Sequence, residues 1–129
     1  MENRNFIARR LTRAHAGGWP QESGDLSKKV TAEGPEEEGA CGLNVIAVVH
    51  VEGRVKGFER PFASTRGNDP IKFTVGASRV VPALDYGVAT MRRGERALFT
   101  CAPHMVAGFP GAPANCVVDL DVELVCVGP

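Results

Sequence analysis

The side chains able to ligate a metal, attack a carbon or carry a proton are few and scattered. The four cysteines, Cys41, Cys101, Cys116 and Cys126, include no Cys-x-x-Cys pair, whereas zinc sites usually hold their ligands in close pairs. Cys101-Ala102-Pro103-His104 has a ligand-like spacing but stands alone, so the expected reading is a buried thiol beside a histidine on a turn. No metal and no other cofactor is expected. Cys116 and Cys126 fall in an apolar segment, where cysteine behaves as a small hydrophobe. His50 falls within a strand pattern as a core or rim residue, and Asp85 and Glu95 are expected to be solvated. With no secretory signal in view, all four thiols are read as reduced, in a cytosolic-type compartment.

The elements that must position these groups come from pattern. The chain has 129 residues, 43% hydrophobic and 23% charged, which fits one globular domain. Fifteen Lys and Arg balance fifteen Asp and Glu, so no net field draws it to nucleic acid or an anionic membrane, and no apolar run approaches the ~20 residues of a membrane span. Residues 1–21 form a basic arm, with Arg4, Arg9, Arg10 and Arg13 against Glu2; it is expected to be a disordered terminus, with a mitochondrial-type presequence as the alternative. Residues 22–129 are expected to be the domain. Residues 26–31 suit a short edge strand, and the acidic run 34–39 a solvated loop.

Leu43, Val45, Ala47, Val49 and Val51 alternate, as do Ile71, Phe73 and Val75, predicting two strands with a buried face. Residues 82–91 carry the helical spacing, Leu84, Val88 and Met91 behind Pro82; Gly87 in its middle suggests close packing on a sheet. A strand is predicted over 96–102 and an irregular loop over 103–113. Finally Val118, Leu120, Val122, Leu124 and Cys126 point one way and Asp119, Asp121 and Glu123 the other, the pattern of an antiparallel strand with one wet face. Several strands with one helix predict an α+β domain.

Ordered pieces of this chain resemble the FKBP family of peptidyl-prolyl cis-trans isomerases. Val48-Val49-His50-Val51-Glu52-Gly53 is similar to the family's Val-His-Tyr-x-Gly strand, and Phe62-Ala63-Ser64-Thr65-Arg66 stands where it has Phe-Asp-Ser-Ser-Arg. Gly76-Ala77-Ser78-Arg79-Val80-Val81 and Gly87-Val88-Ala89-Thr90-Met91-Arg92-Arg93-Gly94-Glu95 are close to its Gly-x-x-x-Val-Ile and Gly-Val-x-x-Met-x-x-Gly-Glu pieces, and Asp121-Val122-Glu123-Leu124 resembles its last strand. The resemblance runs over about residues 24–127 and implies a twisted antiparallel β-sheet wrapped around one short α-helix.

The resemblance also implies a substrate pocket between helix and sheet, formed here by Val51, Phe62, Ala63, Ile71, Phe73, Val80, Val81, Leu84, Ala107 and Leu120. Phe62, Phe73, Val80 and Val81 keep the family's apolar walls. Val51 replaces a tyrosine, Ala63 the aspartate, Ile71 a phenylalanine, Leu84 the tryptophan floor, Ala107 a loop tyrosine and Leu120 a phenylalanine. Rotation about an X-Pro bond meets a barrier of ~18–20 kcal/mol from amide resonance. It needs no nucleophile, only a dry pocket favouring the twisted amide. With so many rings and polar anchors replaced, the expectation is a protein-binding module with weak or absent isomerase activity and weak macrolide binding, its pocket shallow or filled. The alternative is an active or specialised isomerase with an open groove near Phe62, Val81 and Leu84. An unidentified protein is the expected partner, and no catalytic residue is assigned.

Overall fold

The computed structural model describes residues 6–8 as backbone, and residues 26–34 and 39–128 in full. The arm expected over 1–21 lies outside the described residues except for 6–8, and the acidic run lies outside them over 35–38. Seven strands follow in chain order: β1 (Phe6–Ala8), β2 (Leu26–Ala32), β3 (Ile46–Val55), β4 (Ala63–Ser64), β5 (Ile71–Thr74), β6 (Arg96–Cys101) and β7 (Val118–Gly128), with one helix, α1 (Pro82–Ala89), between β5 and β6. They form one antiparallel sheet in the order β1-β2-β6-β7-β3-β4, with β5 also pairing β3. The α+β expectation holds: a single sheet packs one face against a short helix.

Period-two patterning does the work in the strands. Ala47, Val49 and Val51 of β3, Ala97 and Phe99 of β6, and Val118, Leu120, Val122 and Leu124 of β7 are all buried on the helix side. Their partners in sequence face outward, where Arg96 makes a two-pronged contact with Asp121 (2.9 and 2.8 Å) and Thr100 donates to Asp119 (2.8 Å). Eight residues are too few for a stable isolated helix, so α1 depends on its packing. Leu84 and Val88 enter the core. A Cβ on Gly87 would sit 2.8 Å from Cε1 of Phe99, which confirms the close approach that a mid-helix glycine suggested.

Four expectations need correction. Residues 26–31 are not an edge strand, because β2 runs between β1 and β6. The 103–113 segment is not wholly irregular: Pro103–Met105 make a short 3₁₀ turn. Cys126 is exposed rather than buried; Val48 pairs Cys126 while Val49 pairs Leu124, so Val125 is an extra residue, and this bulge breaks the alternation that would have carried Cys126 inward. Asp85 and Glu95 are not solvated, being 6% and 0% exposed.

Each buried carboxylate is compensated, as burial of charge requires. Glu95 Oε2 lies 2.8 Å from the Lys28 ammonium and Oε1 accepts the Arg92 N–H at 3.1 Å. Lys28, itself buried, also donates to the carbonyl and hydroxyl of Thr90 at 3.0 Å each. One ion pair therefore ties β2 and the turn before β6 to the C-terminal end of α1.

Candidate functional site

The site grows from the turn that leads into α1. Gly76 takes φ +86° and Ser78 φ +59°; the first is free to glycine, the second is strained for a residue with a Cβ. The strain is held by Asp85 in the helix's first turn. Its Oδ1 accepts the Gly76 N–H at 2.8 Å and its Oδ2 the Ser78 N–H at 3.0 Å. A carboxylate with both oxygens committed to backbone donors is a clamp rather than a base. Pro82 opens the helix, where its missing N–H costs nothing, and the Val81 carbonyl accepts from the amides of Leu84 and Asp85, both at 3.0 Å.

Beside this turn lies an open groove of about 430 Å³. Leu84, 1% exposed, is its floor. Ile71 from β5 and Val80 and Val81 from the turn make the aliphatic walls, and Ala107 to Pro110 close the far side. Phe109 is its one aromatic ring; it meets Phe62 edge-on, with centroids 6.0 Å apart and planes at 81°, a favoured arrangement for two rings.

Of the residues expected at a pocket, the structure brings together Ile71, Val80, Val81, Leu84 and Ala107. Phe62 does not line the groove but braces Phe109, and its ring lies close enough to Gly53 that a Cβ there would come within 2.8 Å of Cζ. Ala63 is half-buried and pairs Gly53 in the β3–β4 ladder. Val51, Phe73 and Leu120 are buried core positions outside the lining. The groove is open beside Val81 and Leu84, two of the three residues named for the isomerase alternative, while Phe62 stands behind Phe109.

Sequence reading missed Phe109, Pro110, Ser78 and Arg79. The signal for Phe109 was present in Phe109-Pro110-Gly111, a lone ring in a loop of small residues. Arg79 had none, since its place at the groove follows from the turn that Asp85 clamps.

No thiol is poised to react here. Burial pushes the Cys41 thiol up to about 11 and raises that of Cys101 further, so both stay protonated and non-nucleophilic at neutral pH. Cys101 is buried while His104 is exposed, so the Cys-x-x-His spacing does not converge. A second cavity, about 490 Å³, lies within the loop from Pro103 to Asn115 and draws its walls from that loop alone. The first groove is the better-built site, because a strand, a helix and a clamped turn each supply a wall.

What such a groove can do is seat a compact apolar ring. Its walls combine aliphatic side chains with Ser78 and Arg79 at the turn, and its lining residues form no nucleophile–base pair.

Residues 42–125 match the protein family described as FKBP-type peptidyl-prolyl cis-trans isomerase, more than half of the chain. The chain is 34% identical over 93 residues to FK506-binding protein 59 of Drosophila melanogaster, covering 70% of this chain and 20% of that protein. It is 36% identical over 98 residues to the 39 kDa FK506-binding nuclear protein of the same fly, covering 73% of this chain and 27% of that protein. The chain thus spans about a fifth to a quarter of the length of these two relatives. Against peptidyl-prolyl cis-trans isomerase FKBP1A of Xenopus laevis it is 36% identical over 81 residues, 60% of this chain and 75% of the relative. The N-terminal domain of FKBP42 from Arabidopsis thaliana superposes with a TM-score of 0.71 at 23% identity, over 81% of this chain and 87% of that one, a likeness of fold. Matched by the family's sequence pattern over most of its β-sheet and helix, the chain belongs to the FKBP-type peptidyl-prolyl cis-trans isomerase family.

Proposed function

We propose that this FKBP-type domain seats a prolyl residue of a protein partner in the groove over Leu84 and isomerises it slowly or not at all. The observation that carries the reading is the composition of the groove: an open slot of about 430 Å³ whose lining holds one ring, Phe109, mostly aliphatic side chains beside it, and Ser78 and Arg79 as its polar side chains. A proline ring gains from leaving water at roughly 25 cal/mol per Å² of apolar surface buried, and aliphatic walls serve that as well as aromatic ones. Lowering an ~18–20 kcal/mol rotation barrier asks for more, namely groups that favour the twisted amide over the planar one. Asp85, the one carboxylate at the turn, has both oxygens occupied by Gly76 and Ser78. Weak binding of macrolides follows from the same shortage of rings.

A second reading, a working isomerase specialised for its substrate, is favoured by the openness of the groove. The two separate in one experiment, a titration of a blocked prolyl peptide followed by exchange NMR on its cis and trans proline signals. Binding with little exchange enhancement supports the module; exchange accelerated to the level of FKBP1A measured alongside supports the isomerase. A peptide that does not bind at all removes both.

A further inference from the structure

Resting on that reading of the groove, we infer that it selects prolyl segments carrying an acidic side chain next to the proline, and that Arg79 makes the selection. Among the described residues Arg79 is the only charged one lining the groove; its other walls are Ile71, Val80, Val81, Leu84, Phe109 and small or uncharged neighbours. The guanidinium is exposed and takes part in no ion pair among the described residues. By contrast Arg54, Arg66 and Arg96 on the outer face of the sheet are each paired with a carboxylate. An unpaired cation beside an apolar slot gives the slot a sign.

The position of Arg79 is also fixed from behind. Asp85 holds the backbone of Gly76 and Ser78 with two hydrogen bonds, and Val80 and Val81 after it are wall residues. The backbone that carries the side chain is therefore held in place beforehand, and only the side chain itself remains to be ordered when a carboxylate arrives. Arginine suits the task because its planar fork pairs with a carboxylate through two N–H donors. Its effect is on selectivity: exposed pairs of this kind change affinity by about two- to fivefold, and less as salt rises.

The test uses the full chain and blocked hexapeptides identical except at the residues flanking one proline, which are Glu, Gln or Lys in turn. Affinity is read by fluorescence anisotropy in low and high salt. The inference expects Glu over Gln by about two- to fivefold at one flanking position, Lys below Gln, and both differences erased by high salt. Arg79→Gln should level the series and Arg79→Glu should invert it, with Lys preferred. Lys72→Gln, a change to an exposed β5 cation outside the groove lining, should keep the wild-type order. If the wild-type chain binds all the peptides equally, the selectivity is wrong while prolyl binding stands. Retention of the Glu preference in Arg79→Gln also overturns it. If even the Gln peptides fail to bind, the groove reading falls and this inference with it.

Discussion

Asp85 reaches back across the turn before its own helix and accepts the Ser78 N–H at 3.0 Å, while its other oxygen takes the Gly76 N–H at 2.8 Å. The contact joins the helix to the rim of the groove, so stability and the proposed binding depend on one residue. Asp85→Asn keeps one acceptor and turns the other into a donor facing an N–H. Leaving a buried polar group facing its like costs about 1–3 kcal/mol, Asp85 is only 6% exposed, and the acceptor lost is one that holds Ser78 at φ +59°. Chemical denaturation should report a loss of that size, and prolyl-peptide affinity should fall with it. A stability loss with unchanged affinity would separate the clamp from the groove.

The contact between Gly87 and Phe99 sets two effects against each other. Replacing a mid-helix glycine with alanine ordinarily stabilises by about 1 kcal/mol. Here the added methyl would stand 2.8 Å from Cε1 and 2.9 Å from Cζ of a ring that is fully buried, and overpacking a core costs about 1–3 kcal/mol. The clash wins because the Phe99 ring has no solvent to swing into. Gly87→Ala is expected to lower the denaturation midpoint, and a double variant, Gly87→Ala with Phe99→Leu, to lose less than the two single changes added together.

The Lys28–Glu95 pair makes a sharper test of what buried charge contributes. Removing one partner leaves an uncompensated charge in the core, which costs about 3–5 kcal/mol. Lys28→Met and Glu95→Leu should each fall in that range. Replacing both together should recover most of the loss, because apolar side chains of similar volume serve a buried site nearly as well as a pair. Thermal unfolding of the three variants and wild type completes the double-mutant cycle; two losses that simply add would mean the pair is not coupled.

Cysteine reactivity should follow burial. Cys126 on the bulged strand is exposed and should be modified first by a small thiol reagent at pH 8, with Cys101 modified only on unfolding. Cys41, held up to about 11 by burial, has a thiolate fraction of about one thousandth at that pH. The sign of its pH effect follows from linkage. The unfolded thiol ionises near 9 and the folded one near 11, so the folded state binds more protons between them. Stability is present below 9 and is lost as pH climbs towards 11. Mass spectrometry of partially modified protein gives the order, and Cys41→Ala should flatten the alkaline fall.

The strands, the helix and the close approach at Gly87 were legible because they rest on local rules of periodicity and glycine geometry. Half of the groove was legible too, since Ile71, Val80, Val81, Leu84 and Ala107 lie where the family pattern puts a pocket. What escaped depends on non-local geometry. Nothing in Asp85 or Glu95 distinguishes a carboxylate that finds backbone donors and a buried lysine from one left in solvent. The bulge at Val125 is invisible to alternation because inserting one residue looks like continued strand. Val51, Phe73 and Leu120 were grouped with the walls, but the pleat turns them into the core beneath, and the ring that does stand in the groove comes from a loop with no periodicity to read.

Leu84 is where a single change bears most directly on the proposed function. It is buried at the base of an open slot, so the extra atoms of an indole have the groove itself to enter rather than packed core. Leu84→Trp would give a prolyl ring an aromatic face, and a ring contact contributes about 0.5–1.5 kcal/mol beyond its area. The expected result is about two- to tenfold tighter binding of a prolyl peptide, with cis–trans exchange rising only if the added face favours the twisted amide. Tighter binding at unchanged exchange rate would mean that the floor grips proline without favouring the twisted amide. A variant that loses about 1–3 kcal/mol of stability, the usual cost of overpacking, and gains no affinity would show that the slot is too shallow for the ring and that prolyl peptides do not rest on Leu84.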